Sequence, residues 1–184
     1  MNKYLAHFKT IAKHKILVGY YCCKCGQVKR GLMHDNSKFG PTEFFTSARY
    51  FQGNGSPIDK EKAEKGYSIA WQHHKGHNPH HWEWWIDNLG TRKNTPLKVE
   101  WPYLNEMICD WIGAGKVYSK ETWTQAEPYN YYMKVRDSRI INPKTEKVII
   151  YLLEMIRDHG ISTFCYAVKH PEKSKVLSNY LKGE

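Results

Sequence analysis

Five histidines fall within nine positions, His73, His74, His77, His80 and His81, and they constrain the fold of this chain more than any other feature of its sequence. A buried imidazole needs partners for its ring nitrogens, so packing alone does not accommodate such a group. The bland alternative stacks the rings against Trp82, Trp84 and Trp85 in an aromatic core. Gly76 and Pro79 interrupt the segment, which predicts a helix-turn-helix corner able to point several rings into one cleft.

The rest of the chain reads as helix. Tyr4, Leu5, Phe8, Ile11, Ile16 and Val18 recur at mostly helical offsets, predicting an opening helix over 3–19, with His7 and His14 two turns apart on one face. A short helix is predicted from Lys24 to about Met33, ending in His34-Asp35. Pro41 opens another, which the Gly53–Pro57 loop closes. Further helices are predicted over 59–75, from His80 to near Gly90, over 102–113 and, less regularly because Pro128 lies inside it, over 122–136. Gly113-Ala114-Gly115 reads as a helix end. Asn142-Pro143 is an N-cap pair for a helix that Gly160 stops after His159. Period-two alternation is scarce, so no sheet is predicted. The expected fold is all-α: one helical domain over 1–160, with a C-terminal helix and basic tail, 161–184, packed on it.

Composition narrows the setting. The chain has 184 residues, enough for one self-sufficient core, and at 41% hydrophobic and 14% aromatic it is too rich in core formers to stay disordered. No apolar run is long enough to cross a bilayer, and 1–15 lacks the apolar block of a signal peptide, so a cytoplasmic protein is expected. The cysteine count is odd; Cys22 and Cys25 form a CxxC with no second one, so free thiols are expected in place of a four-cysteine zinc site. A net charge of +10 draws in anions such as nucleotides, nucleic acid or other phosphorylated molecules, although the cations are spread along the chain. The seven tryptophans are expected in the core.

Imidazole and carboxylate together suit Mn, Fe, Co, Ni or Zn, and a carboxylate can bridge two such ions. Beyond the histidine-rich segment, His14, the His34-Asp35 pair and Asp110 are candidates. In this order they resemble the HD-domain phosphohydrolases, whose helices carry a His, then His-Asp, then a later Asp. The two-metal members add a His and a His-His pair before the last Asp, where His73 or His74 and then His80-His81 stand here. His34 to Lys38 matches the HDxxK form, in which the lysine helps hold phosphate. A closer resemblance is to a family of phage and bacterial proteins of no settled activity that carry HD-x-SKF-x-P-x-EF and ARYF, then AW-x-HH and N-x-HHW, then DW-x-GAG. Here these are His34–Phe45 with Ala48–Phe51, Ala70–Trp82 and Asp110–Gly115. The GYP signature of one HD branch is absent, so cyclic dinucleotide hydrolysis is not implied. The twenty residues from His14 to His34 are also tight for two helices and a turn.

The resemblance implies metal-dependent hydrolysis of a phosphomonoester or phosphodiester, most naturally a nucleotide's, by a water activated on one or two divalent ions. The implied ligands are His14, His34, Asp35 and Asp110, with His74 and His80 or His81 for a second ion, and Asp35 is the natural bridge. Asp35, Lys38 and His81 are the expected catalytic residues; Lys38, His73 and His77 are expected at the substrate. Glu43 and Glu83 are candidate acid-base groups, and Asn78 a residue that orients a ligand histidine. Two alternatives remain open: a nuclease that uses the basic surface on DNA or RNA, and a non-catalytic, metal-stabilised protein that binds a nucleotide or blocks a partner. No membrane partner is expected, and the oligomeric state is left open.

Overall fold

In the computed structural model, which describes residues 2–88, 90 and 93–183, ten α-helices form one mostly helical domain among the described residues. The long first helix, α1 (Lys3–Lys24), is capped by the Asn2 side chain, which accepts from the Tyr4 amide at 2.9 Å. Its continuation past residue 19 resolves the tight His14–His34 spacing. A turn at 25–27 follows it directly, and α2 (Val28–Met33) is only six residues long.

Two glycines let α2 lie against α1. A Cβ on Gly31 would stand 2.9 Å from the Gly19 carbonyl oxygen and 3.1 Å from the Gly19 Cα, backbone atoms that cannot rotate away. Gly31→Ala is therefore expected to destabilise the fold by about 1–3 kcal/mol, the cost of overpacking a core, and thermal unfolding should show a drop of roughly 2–12 °C. An unchanged Tm would mean that the two helices do not touch in this way.

Gly113 plays the same part on the other side of α1. In α6 (Trp101–Tyr118) its absent Cβ would meet Val18 Cγ2 at 2.5 Å. This corrects the expected helix end at Gly113–Gly115: those residues lie inside α6, and Gly113 serves close helix approach.

α3 (Pro41–Tyr50) opens on a proline as expected. The helix expected over 59–75 is two, α4 (Pro57–Lys65) and α5 (Ile69–Lys75), because Gly66 takes φ 79° and Ser68 caps the next helix through the Trp71 amide. The helix expected from His80 is also corrected. Trp82–Trp85 form one 3-10 turn, and β1 (Ile86–Asn88) pairs antiparallel with β2 (Asn94–Pro96), Ile86 opposite Pro96. Three-residue strands are too short to show alternation, which is why the sequence did not reveal them. α7 (Glu127–Val135) starts later than expected, so Pro128 falls in its first turn, where its missing N–H costs nothing.

α8 (Pro143–His159) follows its cap closely, the Asn142 side chain accepting from the Lys144 amide at 3.0 Å, and stops at Gly160 with φ 86°. The tail holds two helices, α9 (Ile161–Lys169) and α10 (Lys175–Lys182), both against α8. The apolar core lies between α6 and α8, where Leu104, Ile108, Ile112, Ile149, Leu152, Leu153 and Ile156 are fully buried with Phe164 of α9. Trp82, Trp85, Trp101, Trp111 and Trp123 pack on it half-buried, whereas Trp84 is 45% exposed. The cysteines are free; Cys25 Sγ lies 3.4 Å from Cys165 Sγ and 3.9 Å from Cys109 Sγ. No helix among the described residues is long and apolar enough to cross a membrane.

Candidate metal centre

Beside this core, α1, α2, α5 and α6 bring buried polar residues to one place. His14 comes from the middle of α1, and Asp110 faces it from α6, with His14 Nε2 3.0 Å from Asp110 Oδ1. His34 ends α2, and Asp35 follows with φ 52°, in the left-handed region. Aspartate is among the few residues that tolerate this conformation, and the backbone reversal lets two consecutive side chains turn inward. Lys15 fastens the reversal to α1. Its ammonium donates to the Leu32 carbonyl at 2.9 Å, the His34 carbonyl at 2.6 Å and Asn36 Oδ1 at 2.7 Å.

The two oxygens of Asp35, itself 1% exposed, face different neighbours. Oδ2 lies 3.2 Å from both His14 Nε2 and His34 Nε2. Oδ1 lies 3.3 Å from His74 Nε2 and 3.4 Å from His80 Nε2. Two quartets result, His14–His34–Asp35–Asp110 and Asp35–His74–His80–His81, each with its donor atoms within 4.8 Å of one another. For ligands about 2.1 Å from an ion, neighbouring donors stand ~3.0–3.4 Å apart, which agrees with these separations.

A second observation points the same way. Asp35 Oδ1, His74 Nε2, His80 Nε2 and His81 Nε2 are buried without hydrogen-bond partners, and they belong to the second quartet. Buried polar atoms left unpaired cost about 1–3 kcal/mol each, a cost that a coordinated cation removes. The residues present fit such an ion: buried His, Asp and Glu groups able to hold metal ions.

The outer ring nitrogens are held from behind. Glu106 Oε1 is 2.9 Å from His34 Nδ1 and 3.3 Å from His80 Nδ1, while its Oε2 accepts from Arg30 at 3.1 Å. Glu43 does the same for α5, with Oε2 2.8 Å from His74 Nδ1 and Oε1 2.7 Å from His73 Nδ1. Both carboxylates thus fix which nitrogen of each ring faces inward. Asn78 Nδ2 donates to the His74 carbonyl and to Ser37 Oγ, each at 2.8 Å, so it lies against a histidine of the cluster. The turn carrying His80 and His81 is anchored by Trp85 Nε1 donating to the Pro79 carbonyl at 2.7 Å, and Trp71 packs edge-on to His81.

Charge and burial compete in the cluster. Burial pushes the Asp35 carboxyl up, but the charges of His34 and Lys38 and the His14 hydrogen bond outweigh it and hold it well below the carboxylate range. Burial likewise opposes, and the His14 and His34 contacts produce, the low value of Asp110. The Glu106 carboxyl, raised by burial but bonded to His34 and His80, is held down at about 2. Burial keeps His74 and His81 below the ordinary imidazole value, so both are neutral, the form that coordinates a metal.

His34 differs. Burial lowers it, but the Asp35 charge and the hydrogen bonds to Asp110, Asp35 and Glu106 raise it well above the ordinary value. In the metal-free protein this ring therefore carries a second proton at neutral pH, which an incoming cation must displace. Below the raised pKa, metal affinity should climb about tenfold per pH unit for each displaced proton, and above it the dependence should flatten. Adding zinc to metal-free protein in weak buffer at pH 7 should release protons; a pH-independent affinity would contradict the assignment.

Of the residues singled out from the sequence, His14, His34, Asp35, His74, His80, His81 and Asp110 come together, and Lys38 joins them with Nζ 2.6 Å from Asp35 Oδ2. His73 stands on the outer side of Glu43. His77 stacks on it, ring centroids 4.1 Å apart, and bonds its carbonyl at 2.7 Å. Both lie outside the quartets, as does Glu83. Glu106 was not foreseen, although its place four residues before Asp110 puts both on one helix face. Lys15 was not foreseen either; a lysine on a basic helix carries no distinguishing signal.

Fold and site together define a mostly helical protein with a buried histidine-carboxylate cluster able to hold metal ions. The chain belongs to the DUF5662 family, a family of unknown function, whose profile matches residues 3–158. No curated protein and no solved structure matches it.

Proposed function

We propose that this protein is a metal-dependent phosphohydrolase of the HD type, acting on a phosphate ester of a nucleotide. The observation that carries the reading is the division of the Asp35 oxygens between two quartets of donors, with His and Asp in the HD chain order. Held there, one or two divalent transition ions supply water activation at neutral pH and charge compensation for phosphoryl oxygens.

The chain's own groups divide the remaining work. His14, His34 and Asp110 would hold one ion, and His74, His80 and His81 the other, with Asp35 between them. Lys38, raised above its ordinary value because the Asp35 and Asp110 charges outweigh its burial, stays cationic beside them and would neutralise charge growing on the phosphoryl group. A cavity of about 70 Å3 adjoins the cluster, lined by Lys38, His74, Ser47, Thr10, Tyr118 and His7. This is room for a phosphoryl group and too little for a nucleoside, since drug-sized ligands need roughly 300 Å3 or more. Burial and the Lys38 charge lower His7 to about 4, so it is neutral there, and its buried Nδ1 has no partner. His73 and His77 lie on the more open side of Glu43, which supports contact with the outer part of a substrate and not with an ion.

The test is phosphate release from nucleotide mono- and diesters by protein reconstituted in turn with Mn, Fe, Co, Ni and Zn. Turnover is expected with at least one ion. Absence of turnover with all five, despite stoichiometric metal, would favour a metal-stabilised binding protein. Turnover confined to DNA or RNA, with steep salt dependence, would favour a nuclease.

A further inference from the structure

Four of the five cysteines pack into the apolar core from three helices: Cys22 and Cys25 at the end of α1, Cys109 in α6 and Cys165 in α9. Cys25 has two sulfur neighbours, Cys165 Sγ at 3.4 Å and Cys109 Sγ at 3.9 Å. A buried thiol often serves only as a small apolar group, and Cys22 and Cys109, both 0% exposed, need no other role. Cys25 and Cys165 keep 4% and 5% exposure. Cys25 also borders an open cavity of about 320 Å3 beside Gln27, Trp101 and Val168, through which a small reagent can reach it.

We propose that Cys25 and Cys165 are a site of reversible oxidation, at which hydrogen peroxide converts the pair to a disulfide. The proposal is independent of the metal cluster and of the catalytic reading. The closest sulfur pair in the group is also the pair that retains exposure, an arrangement that places an attacking thiol beside its resolving partner. A disulfide of ~2.05 Å needs the two sulfurs to approach by about 1.4 Å, within the reach of small side-chain rotations. Hydrogen bonds with Cys109 and Cys165, helped by the Lys169 charge, outweigh burial and lower the Cys25 thiol to about 5. Cys25 is therefore the thiolate, the form that attacks peroxide. Its bond to Cys25 and its burial push the Cys165 thiol up, so that group keeps its proton until the second step. In the first step Cys25 Sγ bonds one peroxide oxygen, the O–O bond breaks, and the departing hydroxide takes a proton from solvent. Cys165 Sγ then attacks the Cys25 sulfenic sulfur; the S–O bond breaks, and the hydroxide leaves as water with the Cys165 proton. Two thiols thus lose two electrons, and one peroxide becomes two waters. The bond would tie α9, which lies beyond the family-matched residues 3–158, to the end of α1.

The test uses the full chain carrying Cys23→Ser, which removes the exposed thiol, treated with a chelator and then with hydrogen peroxide. Thiol titration in denaturant should find two of the remaining four cysteines free, and dithiothreitol should restore the others. Peptide mapping should place the bond between Cys25 and Cys165. Adding Cys165→Ala should abolish the cross-link and leave Cys25 as a sulfenic acid, captured by dimedone present during the reaction. Adding Cys25→Ala should leave Cys22, Cys109 and Cys165 all unreacted. Four thiols surviving peroxide, a bond mapped to Cys22 or Cys109, or no dimedone capture in the Cys165→Ala protein would each overturn the proposal.

Discussion

Asp35→Ala is expected to abolish stoichiometric metal binding, because it removes a ligand from both quartets at once. Loss of residues that merely orient ligands costs roughly 10–100-fold in metal affinity; loss of a shared ligand should cost more, and turnover should fall below detection with it. The four unpartnered atoms of the second quartet include Asp35 Oδ1, and the variant also removes the carboxylate around which four imidazoles, His14, His34, His74 and His80, are gathered. Metal analysis and phosphate release on the same preparation check both consequences. Full metal content with full activity in Asp35→Ala would dispose of the HD assignment.

The second large effect is expected at Glu106, which touches no proposed ion position in the first quartet and yet holds Nδ1 of both His34 and His80. In Glu106→Gln the side chain keeps its shape but loses its charge, and its amide can turn a donor towards rings that need an acceptor there. Metal affinity should fall roughly 10–100-fold while helical content is retained. Glu106 could instead serve only to pair with Arg30, 3.1 Å away, and in that case the variant would lose some stability and keep its metal affinity. The two outcomes separate a positioning role from a structural one.

Much of this site was legible in the sequence because its donors are rare residue types in a fixed order. His14, His34-Asp35, His74, His80-His81 and Asp110 stand out among apolar helical stripes, and the structure brings them together. The long helices were legible for the same periodic reason, and Asn142 and Gly160 bounded α8 through cap chemistry that acts locally. What stayed hidden depends on tertiary contact. Glu106 and Lys15 look like ordinary helix-surface charges until α1, α2 and α6 are packed together. Gly113 reads as a helix end until Val18 is found where its Cβ would be. Trp82–Trp85 carry a helix-like density of aromatics, yet the following residues pair as a hairpin whose strands are too short to announce themselves.

The most direct measurement is anomalous diffraction from crystals of the protein grown with Mn, Co or Zn, with data collected at the metal edge. Two peaks are expected, roughly 3.5–4 Å apart as in two-metal hydrolases, with Asp35 between them. One should lie among His14, His34 and Asp110, the other among His74, His80 and His81. A cluster free of anomalous density in metal-loaded crystals, with His14, Asp35 and His74 hydrogen-bonded to one another in its place, would contradict the account.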